Sequence, residues 1–195
     1  MFIAFEGLDG SGGTTQIGLL EARLRASDRG VCRTREPSDG PVGTLIRSQL
    51  AGGSVGDAVL GHLFAADRRD HLDSVVTPAL ERGEVVLTDR YVLSSLAYQS
   101  LSLGLDRVWA INTEFRPADV VIVLDLAVEA CVSRVEARAG VRDRFETLEQ
   151  LRRVADAYEA AITRCRLRGD RIVRIDASGP AEEVHSRIWK ALWPS

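Results

Sequence analysis

The residues at positions 7–15, GLDGSGGTT, have the types and the spacing that phosphate binding requires. Glycines let a backbone turn tightly and direct its N–H groups inward, and the two threonines open a helical pattern whose N-terminus favours anions. The apolar residues 2–5 before this loop predict a strand buried on both faces. We therefore predict that the phosphates of a ligand contact Gly7, Leu8, Asp9, Gly10, Ser11, Gly12, Gly13, Thr14 and Thr15.

One position departs from the phosphate-loop pattern G-x-x-x-x-G-K-[ST]. Gly7, Gly12 and Thr14 fit the pattern, but Gly13 stands where it has lysine. That lysine normally reaches the β- and γ-phosphates, so its absence removes a cation from the point where phosphoryl transfer must neutralise charge. Lys190 is the one lysine among 25 basic residues and lies near the C-terminus, so we expect any replacement cation to be an arginine.

A carboxylate that follows a later apolar segment is a candidate metal ligand beside this loop. Residues 84–88 predict a strand, and Asp89 and Arg90 follow it directly. A carboxylate in that place can hold a hydrated Mg²⁺ beside a threonine hydroxyl of the loop. We predict that Thr14 and Asp89 hold the metal ion.

Apolar segments alternate with helical patterns along the chain, which is typical of a parallel sheet with crossover helices. The predicted strands are residues 2–5, 31–35, 84–88, 119–126 and 171–176. The predicted helices are residues 16–29, 41–50, 57–82, 94–99, 127–138, 147–168 and 181–192, and Pro78 is expected to kink or divide the third. We predict an α/β fold of the P-loop NTPase type, a five-stranded parallel sheet flanked by helices on both faces, in a single domain spanning 1–195.

Two charged clusters have alternative interpretations. Arg35 and Glu36 lie at the carboxyl end of the second predicted strand, where ligands bind in open α/β sheets, but they also fit a solvated ion pair. Phe64 and Arg68 lie one helical turn apart with aspartates beside them, a combination that can stack a base and hold a phosphate. The alternative places Phe64 in the core and the charges in water.

Two later segments also suggest binding. Ser94, Ser95, Tyr98 and Gln99 present hydroxyl and amide groups on neighbouring helical turns, which suits hydrogen bonding to base and sugar edges; serines at a helix start also cap it. Residues 141–146, VRDRFE, follow Gly140 between two predicted helices. Arginines after a glycine hinge suit a lid over a triphosphate, and a solvated surface loop is the alternative.

Bulk composition restricts the class of protein. A formal net charge of −3 over 195 residues gives no basic surface for nucleic acid. The sequence has no apolar run of about 18 residues and begins with a predicted core strand, so we expect a cytoplasmic protein without membrane partners. Cys32, Cys131 and Cys165 are widely spaced in apolar segments, which favours buried reduced thiols over disulfides or a zinc site.

Six segments carry a family resemblance. They are FEGLDGSGGTTQ at 5–16, TREP at 34–37, LFAADRRDH at 63–71, TDRY at 88–91, SSLAYQ at 94–99 and RDRFE at 142–146. In this order and spacing, over essentially the full length, they resemble the bacterial-type thymidylate kinases, a family of nucleoside monophosphate kinases. The resemblance implies a homodimer that transfers the γ-phosphoryl group of ATP to dTMP with Mg²⁺.

The resemblance also implies roles for individual residues. Phe64 would stack on thymine, Arg68 would contact the base, and Arg90 would hold the dTMP phosphate. Asp9 would contact the sugar 3′-hydroxyl, and Tyr98 would occupy the place that a 2′-hydroxyl needs. The implied substrate-binding residues are Asp9, Glu36, Pro37, Phe64, Arg68, Arg90, Ser95, Tyr98 and Gln99. The implied catalytic residues are Asp9, Arg90, Arg138 and Arg142, the last two in a lid at about 138–146 that also contains Arg144.

The sequence also departs from the family pattern. Gly13 replaces the lysine, Leu93 replaces the first residue of a usual D-S-S, and residues 100–103 lack a customary arginine. Glycine at Gly10 fits the bacterial subtype, in which lid arginines supply the transition-state cation. The leading interpretation is an ATP-dependent dTMP kinase whose turnover the missing lysine can lower. Two alternatives stay open: a kinase for another nucleoside monophosphate or related metabolite, and a catalytically silent nucleotide-binding protein.

Overall fold

The computed structural model describes residues 1–137 and 148–194. The predicted lid at 138–146, with Arg138, Arg142 and Arg144, lies outside the described residues. The glycine loop and all the other predicted site residues lie within them.

A parallel sheet forms the centre of the molecule. Its strands are β1 (Phe2–Gly7), β2 (Val31–Arg35), β3 (Val85–Asp89), β4 (Val120–Asp125) and β5 (Ile172–Asp176), in the order β2-β3-β1-β4-β5. Every pairing is parallel, and β1 lies between β3 and β4 at the place where the strand order reverses. This is the predicted α/β fold of the P-loop NTPase type, and ligands in such sheets bind beyond the carboxyl ends at the reversal point.

Helices cover both faces, so the strand side chains divide between two cores. Phe2 and Ala4 belong to the core on one face, and Ile3 and Phe5 belong to the core on the other. Burial on both sides explains why β1 is apolar almost throughout. The helices are α1 (Gly13–Arg25), α2 (Pro41–Leu50), α3 (Asp57–His71), α4 (Thr77–Glu81), α5 (Val92–Tyr98), α6 (Ser100–Leu103), α7 (Leu105–Asn112), α8 (Val128–Ala137), α9 (Leu148–Arg168) and α10 (Ala181–Leu192).

The long predicted helix at 57–82 is divided near Pro78, as predicted. Leu72–Val76 form a π-helical segment between α3 and α4. Pro78 has no N–H to donate to the preceding turn, and a widened turn accommodates that loss. Helix α1 ends at Arg25 rather than at residue 29, since Asp28 has a left-handed φ of 56°, which an α-helix excludes.

Membrane-spanning helices and the state of the cysteines can be checked in the structure. Within residues 1–137 and 148–194, no helix is long and apolar enough to cross a membrane. All three cysteines are free; Cys131 and Cys165 are buried and Cys32 is half-buried. Burial raises the pKa of Cys131 to about 11 and that of Cys165 to about 12, so these thiols stay protonated and unreactive near neutral pH.

Candidate active site

The glycine loop joins the central strand β1 to helix α1 at the carboxyl edge of the sheet. The N–H groups of Thr15 and Gln16 both donate to the carbonyl oxygen of Gly12, at 3.1 Å. Gly10 has a φ of 87°, and a Cβ there would lie 2.4 Å from the carbonyl oxygen of Cys131 in α8. This close approach requires glycine. Gly13 and Thr14, the first residues of α1, line the cavity beside the loop, so the helix N-terminus lies where an anion can bind.

A threonine hydroxyl and a carboxylate meet at the end of this loop. Thr14 Oγ1 donates to Asp89 Oδ2 at 2.8 Å. Hard oxygen donors of this kind suit Mg²⁺, which keeps several waters and takes few protein ligands. The two residues predicted to hold the metal thus fit it chemically.

The structure leaves room for a side chain at Gly13. A Cβ built there would have Asp89 Oδ1 as its nearest neighbour at 3.5 Å, an ordinary van der Waals distance. The backbone at this position is helical and needs no glycine. The fold therefore does not require the loss of the lysine.

Arg90 lines two neighbouring cavities. One, the loop cavity, is bordered by the glycine loop and Asp89, and the second is bordered by Phe64 and Arg68. The φ of Arg90, 70°, is unusual for a residue with a side chain, and such conformations concentrate at functional sites. Its guanidinium donates to Asp9 Oδ1 at 2.8 Å and to the hydroxyls of Ser94 at 2.9 Å, Tyr158 at 3.2 Å and Tyr98 at 3.3 Å. These contacts hold the cation at the boundary between the two cavities.

A buried carboxyl, Glu6, lies close to Arg90 at the end of β1. It accepts hydrogen bonds from the backbone N–H groups of Tyr91 at 2.9 Å and Ser94 at 3.2 Å, and from the hydroxyls of Ser94 and Tyr158. Burial raises the pKa of Glu6 to about 7, although these donors and the charge of Arg90 oppose the rise. Glu6 therefore fixes the start of α5 and two of the three hydroxyls that contact the Arg90 guanidinium, those of Ser94 and Tyr158.

The second cavity gathers every residue predicted to bind the acceptor. Leu50, Tyr91 and Ser94 also line it. The Gln99 side chain lines the cavity and is buried at 8% exposure. The predicted residues that line it are Asp9, Glu36, Pro37, Phe64, Arg68, Arg90, Ser95, Tyr98 and Gln99.

Arg68 forms the floor of this cavity and is only 1% exposed. It donates to Glu36 Oε2 through Nε at 3.0 Å and Nη2 at 2.7 Å, to Ser95 Oγ at 3.0 Å, and to Asn112 Oδ1. The His71 ring contacts the other oxygen of Glu36 at 3.1 Å. The alternative that placed these charges in water is therefore wrong for Arg68 and Glu36. They form a paired network that fixes the cavity wall.

A third cavity also borders the glycine loop, at Ser11 and Gly12. Arg134 of α8 donates to the carbonyl oxygens of Gly10 at 3.4 Å and Ser11 at 3.5 Å. Gln16 has a buried Oε1 without a partner in the described residues. The space can accept the remainder of a nucleotide whose phosphates lie on the loop. Its lining consists of Ser11, Gly12, Thr15, Gln16, Arg134, Ala177, Gly179, Ala181 and Val184.

Sequence reasoning missed several residues of this site. Glu6 ends an apolar strand, and Tyr158 lies in the middle of α9, 152 residues away. Asn112 ends α7, which the sequence did not predict. A buried glutamate in an otherwise apolar strand was the one local signal available, since such a group needs partners.

Comparison with known proteins agrees with this geometry. A family profile described as thymidylate kinase matches residues 5–188. A protein of Thermomicrobium roseum named thymidylate kinase is 42% identical over 199 residues, covering 98% of this chain and 93% of its own. A putative thymidylate kinase of Treponema pallidum is 36% identical over 192 residues, covering 96% and 92%, and one of Aeropyrum pernix is 38% identical over 201 residues, covering 97% and 96%. Because the profile matches most of the chain and these relatives are more than 30% identical over nearly its full length, the chain belongs to the thymidylate kinase family.

Proposed function

We propose that this protein transfers the γ-phosphoryl group of ATP to dTMP and releases dTDP and ADP. The observation that carries the proposal is that the loop cavity and the acceptor cavity share Asp9, Glu36 and Arg90. Phosphates bound on either side would meet at the Arg90 guanidinium. Catalysis of phosphoryl transfer consists mainly of such positioning and of charge stabilisation.

In the proposed reaction, an oxygen of the dTMP phosphate forms a bond to the γ-phosphorus of ATP while the bond to the bridging oxygen of ADP breaks. Asp9 and Arg90 would orient the acceptor phosphate and sugar. Thr14 and Asp89 would hold the Mg²⁺ that neutralises charge on the donor phosphates. The cavity beside Arg134 would take the nucleoside of ATP.

Selection of dTMP would follow from the acceptor cavity. Phe64 offers a ring for stacking, Arg68 and Gln99 offer polar groups for the pyrimidine edge, and the Tyr98 hydroxyl lies 3.1 Å from Asp9 Oδ2. A 2′-hydroxyl would compete for the space of the Tyr98 ring, which disfavours ribonucleotides. We further propose one kinase domain with a lid at about 138–146, in which Arg138 and Arg142 act in catalysis, and assembly as a homodimer in the cytoplasm.

A coupled assay of ADP formation tests the proposal. The acceptors are dTMP, dUMP, dCMP, dGMP and dAMP, each with and without Mg²⁺. We expect Mg²⁺-dependent ADP formation that is fastest with dTMP. Faster turnover of another monophosphate would refute the acceptor assignment. The second candidate is a catalytically silent nucleotide-binding protein, because Gly13 stands where the phosphate-loop pattern has a cationic lysine. Binding of both nucleotides without ADP formation would favour this candidate.

A further inference from the structure

The loop cavity has an unequal distribution of charge. Its described acidic side chains include Asp9, Glu36 and Asp89. Asp9 is paired with Arg90 and Glu36 with Arg68, but Asp89 has no basic partner among the described residues. A triphosphate adds further negative charge, and Gly13 contributes none of the positive charge that a lysine would supply.

Two arginines line this cavity in the described part of the chain, Arg35 and Arg90. Arg90 is fully engaged, with four acceptors around its guanidinium and only 24% of its side chain exposed. Arg35 differs, because its side chain is 57% exposed and its hydrogen-bonded partner is Asp39 Oδ1 at 2.6 Å. Asp39 is itself 78% exposed.

The register of the sheet directs Arg35 toward the donor side of the site. Arg35 of β2 is the direct partner of Asp89 of β3, and directly paired residues project from the same face of a sheet. Asp89 projects toward α1, since its carboxylate accepts the Thr14 hydroxyl. The side chain of Arg35 therefore leaves the sheet on the α1 face, beside the position from which a lysine at residue 13 would extend.

We propose that Arg35 leaves Asp39 when nucleotide binds and contacts the terminal phosphate oxygens of the donor, replacing part of the charge that Gly13 lacks. An exposed ion pair contributes little stability and is easily exchanged. The planar guanidinium can donate two parallel hydrogen bonds to a phosphate, which a flexible ammonium cannot. The inference rests on the proposed function, since it assigns a further residue to the same donor site.

Arg35→Met tests the inference, because it removes the charge and keeps much of the aliphatic stem. Arg33→Met is the matched control: Arg33 lies two residues earlier on the same face of β2, and its partner Glu21 in α1 is far along the helix from the loop. Titration calorimetry with Mg²⁺ and a non-hydrolysable ATP analogue measures donor binding, and a separate titration measures dTMP binding. We expect Arg35→Met to weaken analogue binding by about 10- to 100-fold, the scale of one lost hydrogen bond to a charged group, with little change in dTMP affinity. Arg33→Met should change neither.

A double-mutant comparison makes the test specific. If Arg35 and a lysine at position 13 serve the same phosphates, the loss caused by Arg35→Met should become smaller in the Gly13→Lys background. Equal effects of Arg35→Met and Arg33→Met, an effect on dTMP binding alone, or absence of analogue binding by the parent protein would overturn the inference. A parent protein that binds the analogue through Arg35 but forms no ADP would refute the proposed function and leave this inference standing.

Discussion

Replacement of Glu6 by glutamine should change how the stability of the protein depends on pH. Burial raises the pKa of Glu6 to about 7 in the folded protein, from the ordinary glutamate value of 4.5. Each pKa unit corresponds to about 1.36 kcal/mol, so the protonated carboxyl contributes roughly 3 kcal/mol to the free energy of unfolding. Because the folded-state pKa is raised, this contribution is complete below about pH 4.5 and is lost as the pH rises through 7. Glutamine does not titrate and should not show this loss.

Urea unfolding followed by tryptophan fluorescence at pH 5 and pH 8 measures the effect. Part of the contribution is already lost at pH 5, so we expect the parent protein to lose about 2.5 kcal/mol more unfolding free energy than Glu6→Gln over this interval. Glu129→Gln is the control: Glu129 is exposed, and its hydrogen bond with Arg152 lowers its pKa, so it titrates below the interval. Identical pH dependence of the parent and Glu6→Gln would refute the reasoning. It would mean that the four donors keep Glu6 ionised despite its burial.

Three further predictions concern the nucleotide sites. Phe64→Ala should weaken dTMP binding by roughly 1–3 kcal/mol, the usual scale for base–aromatic stacking, and an unchanged dissociation constant by calorimetry would reject the stacking role. Asp89→Asn should raise the Mg²⁺ concentration needed for half-maximal activity, since the carboxylate would hold the ion beside Thr14; an unaltered Mg²⁺ titration would assign Asp89 another role. Arg138→Ala and Arg142→Ala should each lower turnover far more than dTMP affinity. In other phosphoryl-transfer enzymes, an arginine that stabilises the transition state raises the rate by a factor on the order of 10³–10⁵. Full activity of both variants would contradict catalysis by the lid.

Much of the fold could be predicted because its signals are local. Strands β1 and β4 are nearly continuous apolar runs, and burial on both faces leaves that pattern in any sequence. The glycine loop could also be predicted from the sequence. Its glycines are required by the structure, since Gly10 packs against the backbone of α8 and has no room for a side chain. Pro78 predicted that the third helix would be divided, but the π-helical form of Leu72–Val76 was not predictable, because that segment has no distinctive composition.

The site was only partly predictable, because its support depends on contacts between distant segments. Arg90 was recognised from its place after β3, whereas Tyr158 and Glu6, which hold its partners, come from opposite ends of the chain. Arg35 and Glu36 are adjacent in sequence but have opposite environments: Glu36 is buried against Arg68 and Arg35 is exposed beside Asp39. Alternation along an extended chain separates neighbours in this way, and spacing alone does not reveal the partners.

The most direct test of the central claim is the rate at which the parent protein and Gly13→Lys form dTDP from saturating ATP and dTMP with Mg²⁺. The substitution is sterically permitted, because the nearest atom to a Cβ at this position is 3.5 Å away, and lysine is also a better helix former than glycine. The account predicts Mg²⁺-dependent dTDP formation by the parent protein and faster formation by Gly13→Lys, as a cation regains its place beside the β- and γ-phosphates. It would be contradicted if the parent protein bound both nucleotides and formed no dTDP, or if Gly13→Lys left the rate unchanged.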